Sequence, residues 1–491
     1  MRLSDLSDST ADAVRSAGAL LTDLTTPSLR LGVTGFARSG KTVFITALVR
    51  NLIAGGRLPF FAPMAQARIH RAYLEPQPND EVPRFAYEEH LSQLAQDPPQ
   101  WPLSTRRLSQ LRLSIEYTPA RPLRRWLGLS RLHLDIVDYP GEWLIDLGLL
   151  ERSFQDWSRQ AIAAAKTAPA GEAAAAWLAF AASLDADAKA DELLAQRGAE
   201  LFSLYLQGAR RSNPTHLTVG PGRFLWPGDL AGSPLLTFFP AAPRGERGFR
   251  RGTLGAMLER RFESYKALVV KPFFREHFAR LDRQIVLIDA LSALNGGADA
   301  LNDLAATLEA TLKPFRPGQN AWLWRALGGR RIDRVLFAAT KADHLHHTSH
   351  DRLEALLGRL IAQASARSSV AGAQVDVVAL AALRATREAE AQAGAGRLPV
   401  ILGVPLPGER LGARVFDGRS ETALFPGDLP NSEPPRNAPS DKPIVGALDP
   451  VRFLNFRPPR IVLAPAAGEA MAWPHIRLDR ALQYLLGDYL Q

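Results

Sequence analysis

The sequence predicts an α/β fold built on a mostly parallel sheet flanked by helices. Three observations predict it: an apolar strand that runs through a glycine-rich loop into a helix over 29–49, a second apolar strand ending at Asp138, and two further apolar runs, 284–290 and 332–339, separated by a helical stretch. Uninterrupted apolar runs of this kind suit strands covered on both faces, as in parallel sheets.

Residues 1–27 place Val14, Ala17, Leu21 and Leu24 at helical spacing, which predicts an N-terminal helix. The first part of the α/β domain is expected over 28–150. Leu29, Leu31 and Val33 alternate as a strand, and Gly35 to Thr42 reads G-x-x-x-x-G-K-T before helical spacing resumes at Val43. In a strand-loop-helix setting this is the phosphate-binding loop of a P-loop NTPase. Gly35, Arg38, Ser39 and Gly40 would wrap phosphates, Lys41 would reach the β and γ oxygens, and Thr42 would ligate Mg²⁺.

Residues 55–105 are rich in proline and aromatics and read as a long ordered loop. It ends at Thr105, just ahead of an alternating strand at Leu111, Leu113, Ile115 and Tyr117, where a nucleotide switch would place a hydroxyl near Mg²⁺ and the γ-phosphate. The run Leu132 to Asp138 then leads into Tyr139, Pro140, Gly141 and Glu142. A strand ending in D-x-x-G offers a carboxylate, Asp138, to Mg²⁺ and the Gly141 N–H to the γ-phosphate. Glu142 stands where many GTPases keep a water-orienting Gln; its carboxylate would be repelled by the γ-phosphate, so slow hydrolysis is expected.

Residues 151–282 read as a mainly helical insertion, with an irregular Pro/Gly stretch over 213–243 and a helix from Leu254 to Leu281 broken at Pro272. The second part of the α/β domain is expected over 283–401. Its strand at 332–339 runs into Thr340, Lys341, Ala342 and Asp343. An Asp at the mouth of such a strand can accept both the N1–H and the 2-amino group of guanine, donors that adenine lacks, while the Lys stem lies along the base. After a further strand at Val375 to Leu380, the backbone of Ala382 is a candidate contact for guanine O6. His344, His346, His347 and His350 follow the T-K-A-D run and read as solvated turn residues rather than metal ligands. Residues 402–470 form a Pro/Gly-rich excursion, partly disordered, and 471–491 an amphipathic helix packing on the sheet.

The chain has 491 residues, 46 % hydrophobic and 22 % charged, enough for two or three cores. It has no cysteine, which excludes disulfides, thiolate catalysis and thiolate metal sites. A net charge of +9 comes mostly from dispersed arginine, so direct nucleic-acid binding is not expected. No run is long and apolar enough to span a bilayer, and the start lacks a signal-peptide pattern, so a cytoplasmic protein is expected.

With these pieces placed, the sequence resembles the YcjX-like family of bacterial Ras-type GTP-binding proteins. The likeness is carried by GFARSGKT, DYPGEWL, PFFREHFARLDRQIVLIDALSALNGG, FAATKADHL and PHIRLDRALQYLLGD. It implies a Ras-like P-loop fold with a helical insertion, binding of GTP and GDP with Mg²⁺, and a switch role in phage-shock-type envelope stress. It also implies a location in the cytoplasm or at the periphery of the inner membrane, with an unidentified protein effector among the membrane-associated stress components. Carried over residue by residue, it implies Gly35, Arg38, Ser39, Gly40, Lys41 and Thr42 on phosphates and Mg²⁺, Thr105 as switch hydroxyl, Asp138 and Gly141 on the γ side, and Lys341 and Asp343 on the base. Two rival readings stand beside it: a P-loop ATPase or kinase without guanine specificity, and a scaffold that binds nucleotide only for stability.

Overall fold

The structure, a computed structural model, describes residues 26–36, 38–103, 107–122, 128–167, 171–212, 220–225, 227–241, 248–312, 332–366, 373–393, 396–429, 452–461 and 473–491. The expected N-terminal helix and Thr105 lie outside the described residues, as does most of the stretch expected to be disordered.

Strand β1 (Ser28–Gly35) leads through the glycine-rich loop into helix α1 (Lys41–Ile53). Strand β2 (Ile69–Glu75), helix α2 (Tyr87–Leu94), β3 (Ser109–Tyr117) and β4 (Ser130–Asp138) follow, and then a helical stretch: α3 (Glu142–Leu147), α4 (Phe154–Thr167), α5 (Gly171–Ser183), α6 (Glu192–Ser212), α7 (Leu254–Tyr265) and α8 (Lys271–Glu276). The chain returns through β5 (Arg283–Ile288), α9 (Ala290–Asn295), α10 (Gly297–Leu312), β6 (Arg334–Ala339), α11 (His350–Ala366) and β7 (Gln374–Ala379). Beyond it come β8 (Arg387–Ala393), β9 (Gly396–Gly403), the short β10 (Arg410–Leu411) and β11 (Arg414–Val415), β12 (Thr422–Leu424) and helix α12 (Leu478–Leu486).

One sheet carries the order β2-β3-β4-β1-β5-β6-β7. Strands β4, β1, β5, β6 and β7 run parallel, and β3 is antiparallel to both of its neighbours. Parallel strands bring their carboxyl ends to one edge, and the chain leaves β1 toward one side of the sheet and β5 toward the other. That edge, at the reversal, is where an open α/β sheet binds ligands.

The period of two along each strand divides the core. Ile285, Leu287 and Leu336 face a cluster with Phe44, Leu48 of α1 and Leu482, Leu485 of α12, while Val286, Ile288 and Phe337 face the other side. That second cluster is continuous with Trp157, Trp177, Phe202 and Phe262 of the helical stretch, in which Trp157 stacks on Phe262 at 5.0 Å and Trp177 on Tyr205 at 5.3 Å. Offset aromatic stacking adds about 0.5–1.5 kcal/mol per pair to the burial of the rings.

Three local outcomes differ from the sequence reading. The stretch 55–105 contains β2 and α2 rather than loop alone; β2 is an edge strand in which Ala72 is the buried residue, so its sequence, IHRAYLE, shows no apolar alternation. Pro272 does not break its helix. The backbone widens into a π-helical segment, Lys266–Val270, just before it, so the proline falls in the first turn of α8, where its missing N–H costs no hydrogen bond. Residues 387–403, given no strand beforehand, form the antiparallel pair β8-β9, joined by β12.

Candidate functional site

The loop after β1 is shaped by close contacts. A side chain at Gly35 would put its Cβ 2.3 Å from Ser39 Oγ and 2.7 Å from Leu287 O, so only glycine fits under the loop. The Ser39 N–H closes the turn on Phe36 O at 3.0 Å, and Arg38 and Gly40 take left-handed backbone, φ 65° and 83°. Arg38 is exposed and Gly40 caps α1, whose first turn holds no acidic residue. The positive end of the helix is thus left for an anion. Ser39 is 2 % exposed, and its hydroxyl has no hydrogen-bond partner among the described residues. A buried hydroxyl left open toward a helix N-terminus suits phosphate oxygens or their metal.

At the carboxyl end of β4, the neighbour of β1, the Asp138 carboxylate pairs with the ammonium of Lys41. Both are buried, as is Thr42. The hydroxyl of Thr42 and the carboxylate of Asp138 are hard oxygen donors that fit Mg²⁺. Gly141 comes so close to Gly35 that a Cβ there would sit 3.0 Å from its carbonyl carbon, and the Gly141 N–H donates to Gly35 O at 3.3 Å. Glu142, 2 % exposed, opens α3.

At the carboxyl end of β6, the Thr340 N–H and hydroxyl both donate to Ile288 O, at 2.9 and 3.2 Å. Lys341 has left-handed backbone, φ 61°, a strained state for a non-glycine residue that costs about 1–3 kcal/mol and recurs at functional sites. Its ammonium lies 2.6 Å from Asp289 Oδ2, at the end of β5, and donates to Asn455 Oδ1 at 3.0 Å. Asp343 is 4 % exposed, and burial pushes its carboxyl up to about 6 although the Ala385 N–H donates to it at 2.8 Å. Ala382 lies in the loop after β7, between Ala381, whose N–H donates to Ile476 O, and Arg384, whose N–H donates to Pro474 O.

These ends meet in a cavity of about 460 Å³. Gly35, Arg38, Ser39, Gly40, Lys41, Thr42, Glu142, Thr340, Lys341, Asp343 and Ala382 all line it. Asp138 and Gly141 stand behind that lining, reached through Lys41 and Gly35. The cavity has a wall that the sequence did not reveal: Trp101 and Pro102 from the loop before β3, and Leu406, Glu409, Asn455 and Phe456 from the excursion. The Trp101 indole N–H donates to Phe456 O at 2.6 Å. The proline-aromatic run around Trp101 hinted at an ordered role, but nothing in the spacing near 406 or 455 pointed to the cavity.

Behind Glu142, α3 is locked to the helical stretch. Asp146 Oδ1 accepts from the Gly222 N–H at 2.6 Å, and Asp146 Oδ2 accepts from the Tyr265 hydroxyl of α7 at 2.6 Å. Asp146 is buried, which raises its carboxyl to about 6. The Arg223 guanidinium lies 3.3 Å over the ring of Trp143.

The histidines after the T-K-A-D run divide. His344 and His350 are buried, contrary to the solvated reading: His344 meets Phe456 edge-on at 5.0 Å and is held neutral by burial, and His350 Nε2 bonds Ala342 O at 2.9 Å, tying α11 to the loop. His347, exposed, bonds Glu388 Oε2 at 2.7 Å, and with His346 these two form a group of three possible metal ligands.

Among the described residues, no helix is long and apolar enough to cross a membrane. The sequence profile of the YcjX-like family, DUF463, matches residues 29–490. The chain is 38 % identical over 473 residues to a protein of Escherichia coli (strain K12) named Ras-like GTPase YcjX, covering 94 % of this chain and 96 % of that one. It is 35 % identical over 487 residues to the protein of the same name from Shewanella oneidensis, covering 94 % and 95 %.

Proposed function

Since the chain belongs to the YcjX-like family, we propose that it is a guanine-nucleotide switch that binds GTP and GDP with Mg²⁺ and hydrolyses GTP slowly. The observation that carries this reading is the single cavity lined at one end by the G-x-x-x-x-G-K-T loop and at the other by Lys341 and Asp343. The relatives' name, Ras-like GTPase, supports it.

In this reading the phosphates rest on the N-terminus of α1, with Lys41 and Arg38 sharing their charge. Mg²⁺, held by Thr42 and Asp138 and in the triphosphate state by Thr105, would neutralise charge on the β and γ oxygens. The Asp138 carboxylate that now faces Lys41 would pass to the metal as Lys41 turns to the phosphates. Glu142 beside the γ-phosphate disfavours both the charge and a well-oriented water, so turnover is slow. Asp343 reads guanine, and the helical stretch responds through α3.

The test is calorimetry of GTP, GDP and ATP with Mg²⁺, on the native chain and on Asp343→Asn. Guanine nucleotides binding at least tenfold tighter than ATP, about 1.4 kcal/mol, with that preference lost in the variant, bears the reading out. Equal affinities overturn it in favour of an ATPase or kinase. Hydrogen exchange over 95–150 that is identical with GDP and with a non-hydrolysable GTP analogue overturns the switch and leaves a nucleotide-stabilised scaffold.

A further inference from the structure

We propose that Glu409 and Asn455 form a subsite for the ribose hydroxyls of the nucleotide, an inference that rests on the guanine-nucleotide reading above. The glycine-rich loop leaves β1 and the T-K-A-D run leaves β6, and β5 lies between them. A nucleotide with its phosphates at the first and its base at the second must therefore lay its sugar over the end of β5.

Lys341 marks that place. Its ammonium reaches back from β6 to Asp289, the residue that follows β5. With its stem along the base, the charged end projects past the base to the sugar. Asn455 and Glu409 are gathered at this end. The Lys341 ammonium donates to Asn455 Oδ1 at 3.0 Å, and Asn455 Nδ2 donates to Glu409 Oε1 at 2.9 Å. Every donor in this relay points toward Glu409, whose Oε2 carries no hydrogen bond among the described residues. Both residues line the cavity. A half-buried carboxylate with one oxygen open accepts from a pair of vicinal hydroxyls.

The two residues are held as a unit. Pro405 and Phe456 form an antiparallel bridge, the Leu406 N–H donates to Asn455 O and the Arg457 N–H to Val404 O, each at 2.8 Å, and Trp101 clasps Phe456 O. The described part of the excursion thus supplies a preformed wall, and the preferred ligand class is a ribonucleoside di- or triphosphate over its deoxy counterpart.

The test is calorimetry with GDP, 2′,3′-dideoxy-GDP and inosine diphosphate, which lacks the 2-amino group, on the native chain, Glu409→Ala and Asn455→Ala. The subsite predicts that the native chain prefers GDP to the dideoxy form at least tenfold. Glu409→Ala should lose that preference while keeping the preference for GDP over inosine diphosphate, and Asn455→Ala should reduce it. Equal native affinity for GDP and its dideoxy form overturns the subsite while leaving guanine binding intact. A Glu409→Ala loss of equal size for both sugars also overturns it and reduces Glu409 to a support for Lys341. Absence of guanine preference in the native chain refutes the parent reading instead.

Discussion

The Tyr265 hydroxyl donates to Asp146 across the boundary between α3, which begins at the cavity, and α7, which lies in the helical stretch. Together with the Gly222 N–H it holds both oxygens of a buried carboxylate. In the proposed switch, any movement of Glu142 would be passed to the helices through this polar contact, which cannot loosen without leaving buried groups unpaired.

Tyr265→Phe removes one of those donors and should destabilise the protein by about 1–3 kcal/mol. Asp146 titrates near 6, above its ordinary 3.8, so the stability tied to its protonated form is present at low pH and lost as pH rises through about 6. Without the tyrosine the anion is stabilised less. Urea denaturation should therefore show a larger gap between native and variant proteins at pH 8 than at pH 5; an equal gap contradicts the assignment.

Gly222→Ala tests the same junction by volume. Its Cβ would fall 2.2 Å from Glu142 O, a backbone atom at the opening of α3. The expected loss is about 1–3 kcal/mol, with nucleotide affinity falling as Glu142 is displaced. Thermal unfolding with and without GDP measures both.

Lys41→Met leaves Asp138 buried without its ammonium partner and should cost about 3–5 kcal/mol, apart from abolishing nucleotide binding. The double variant Lys41→Met/Asp138→Asn removes the buried charge and should recover most of that stability, but no binding. Chemical denaturation separates the structural effect from the ligand effect.

Guanine recognition should depend on pH. In the proposed reading Asp343 accepts from the base only when ionised, and burial holds its carboxyl at about 6, so GDP affinity should fall as pH drops from 7.5 to 5.5. Asp343→Asn should show a shallower slope. Phosphate titration is common to both proteins, so the difference between their slopes, measured with a fluorescent GDP, isolates the carboxyl.

The parts of the site that were legible in the sequence are those where a short run must satisfy a backbone demand and a chemical one together. Gly35 and Gly40 are required by close approach and left-handed backbone, and Asp138 ends, and Lys41 and Asp343 come soon after, strands whose apolar pattern was plain. Strands β5 and β6, buried along their lengths, were visible for the same reason. The edge strand β2 was hidden because its sequence, IHRAYLE, shows no apolar alternation and only Ala72 is fully buried. Strand β8, REAEAQA, carries helix-favouring alanine and glutamate and is strand only because β9 pairs with it. The wall at Glu409 and Asn455 was hidden too, since its place depends on contacts with residues far away in the chain, such as Trp101.

That distance in sequence reaches into the protein's synthesis. The glycine-rich loop emerges early, but Phe456 and Asn455, which close the same cavity, come more than 400 residues later. At about 5–20 residues per second, the loop waits some tens of seconds on the ribosome before its pocket has all its walls. A growing chain that lacks them presents the loop without these walls, so in the proposed reading nucleotide stabilises the protein fully only after residues 455 and 456 have been made.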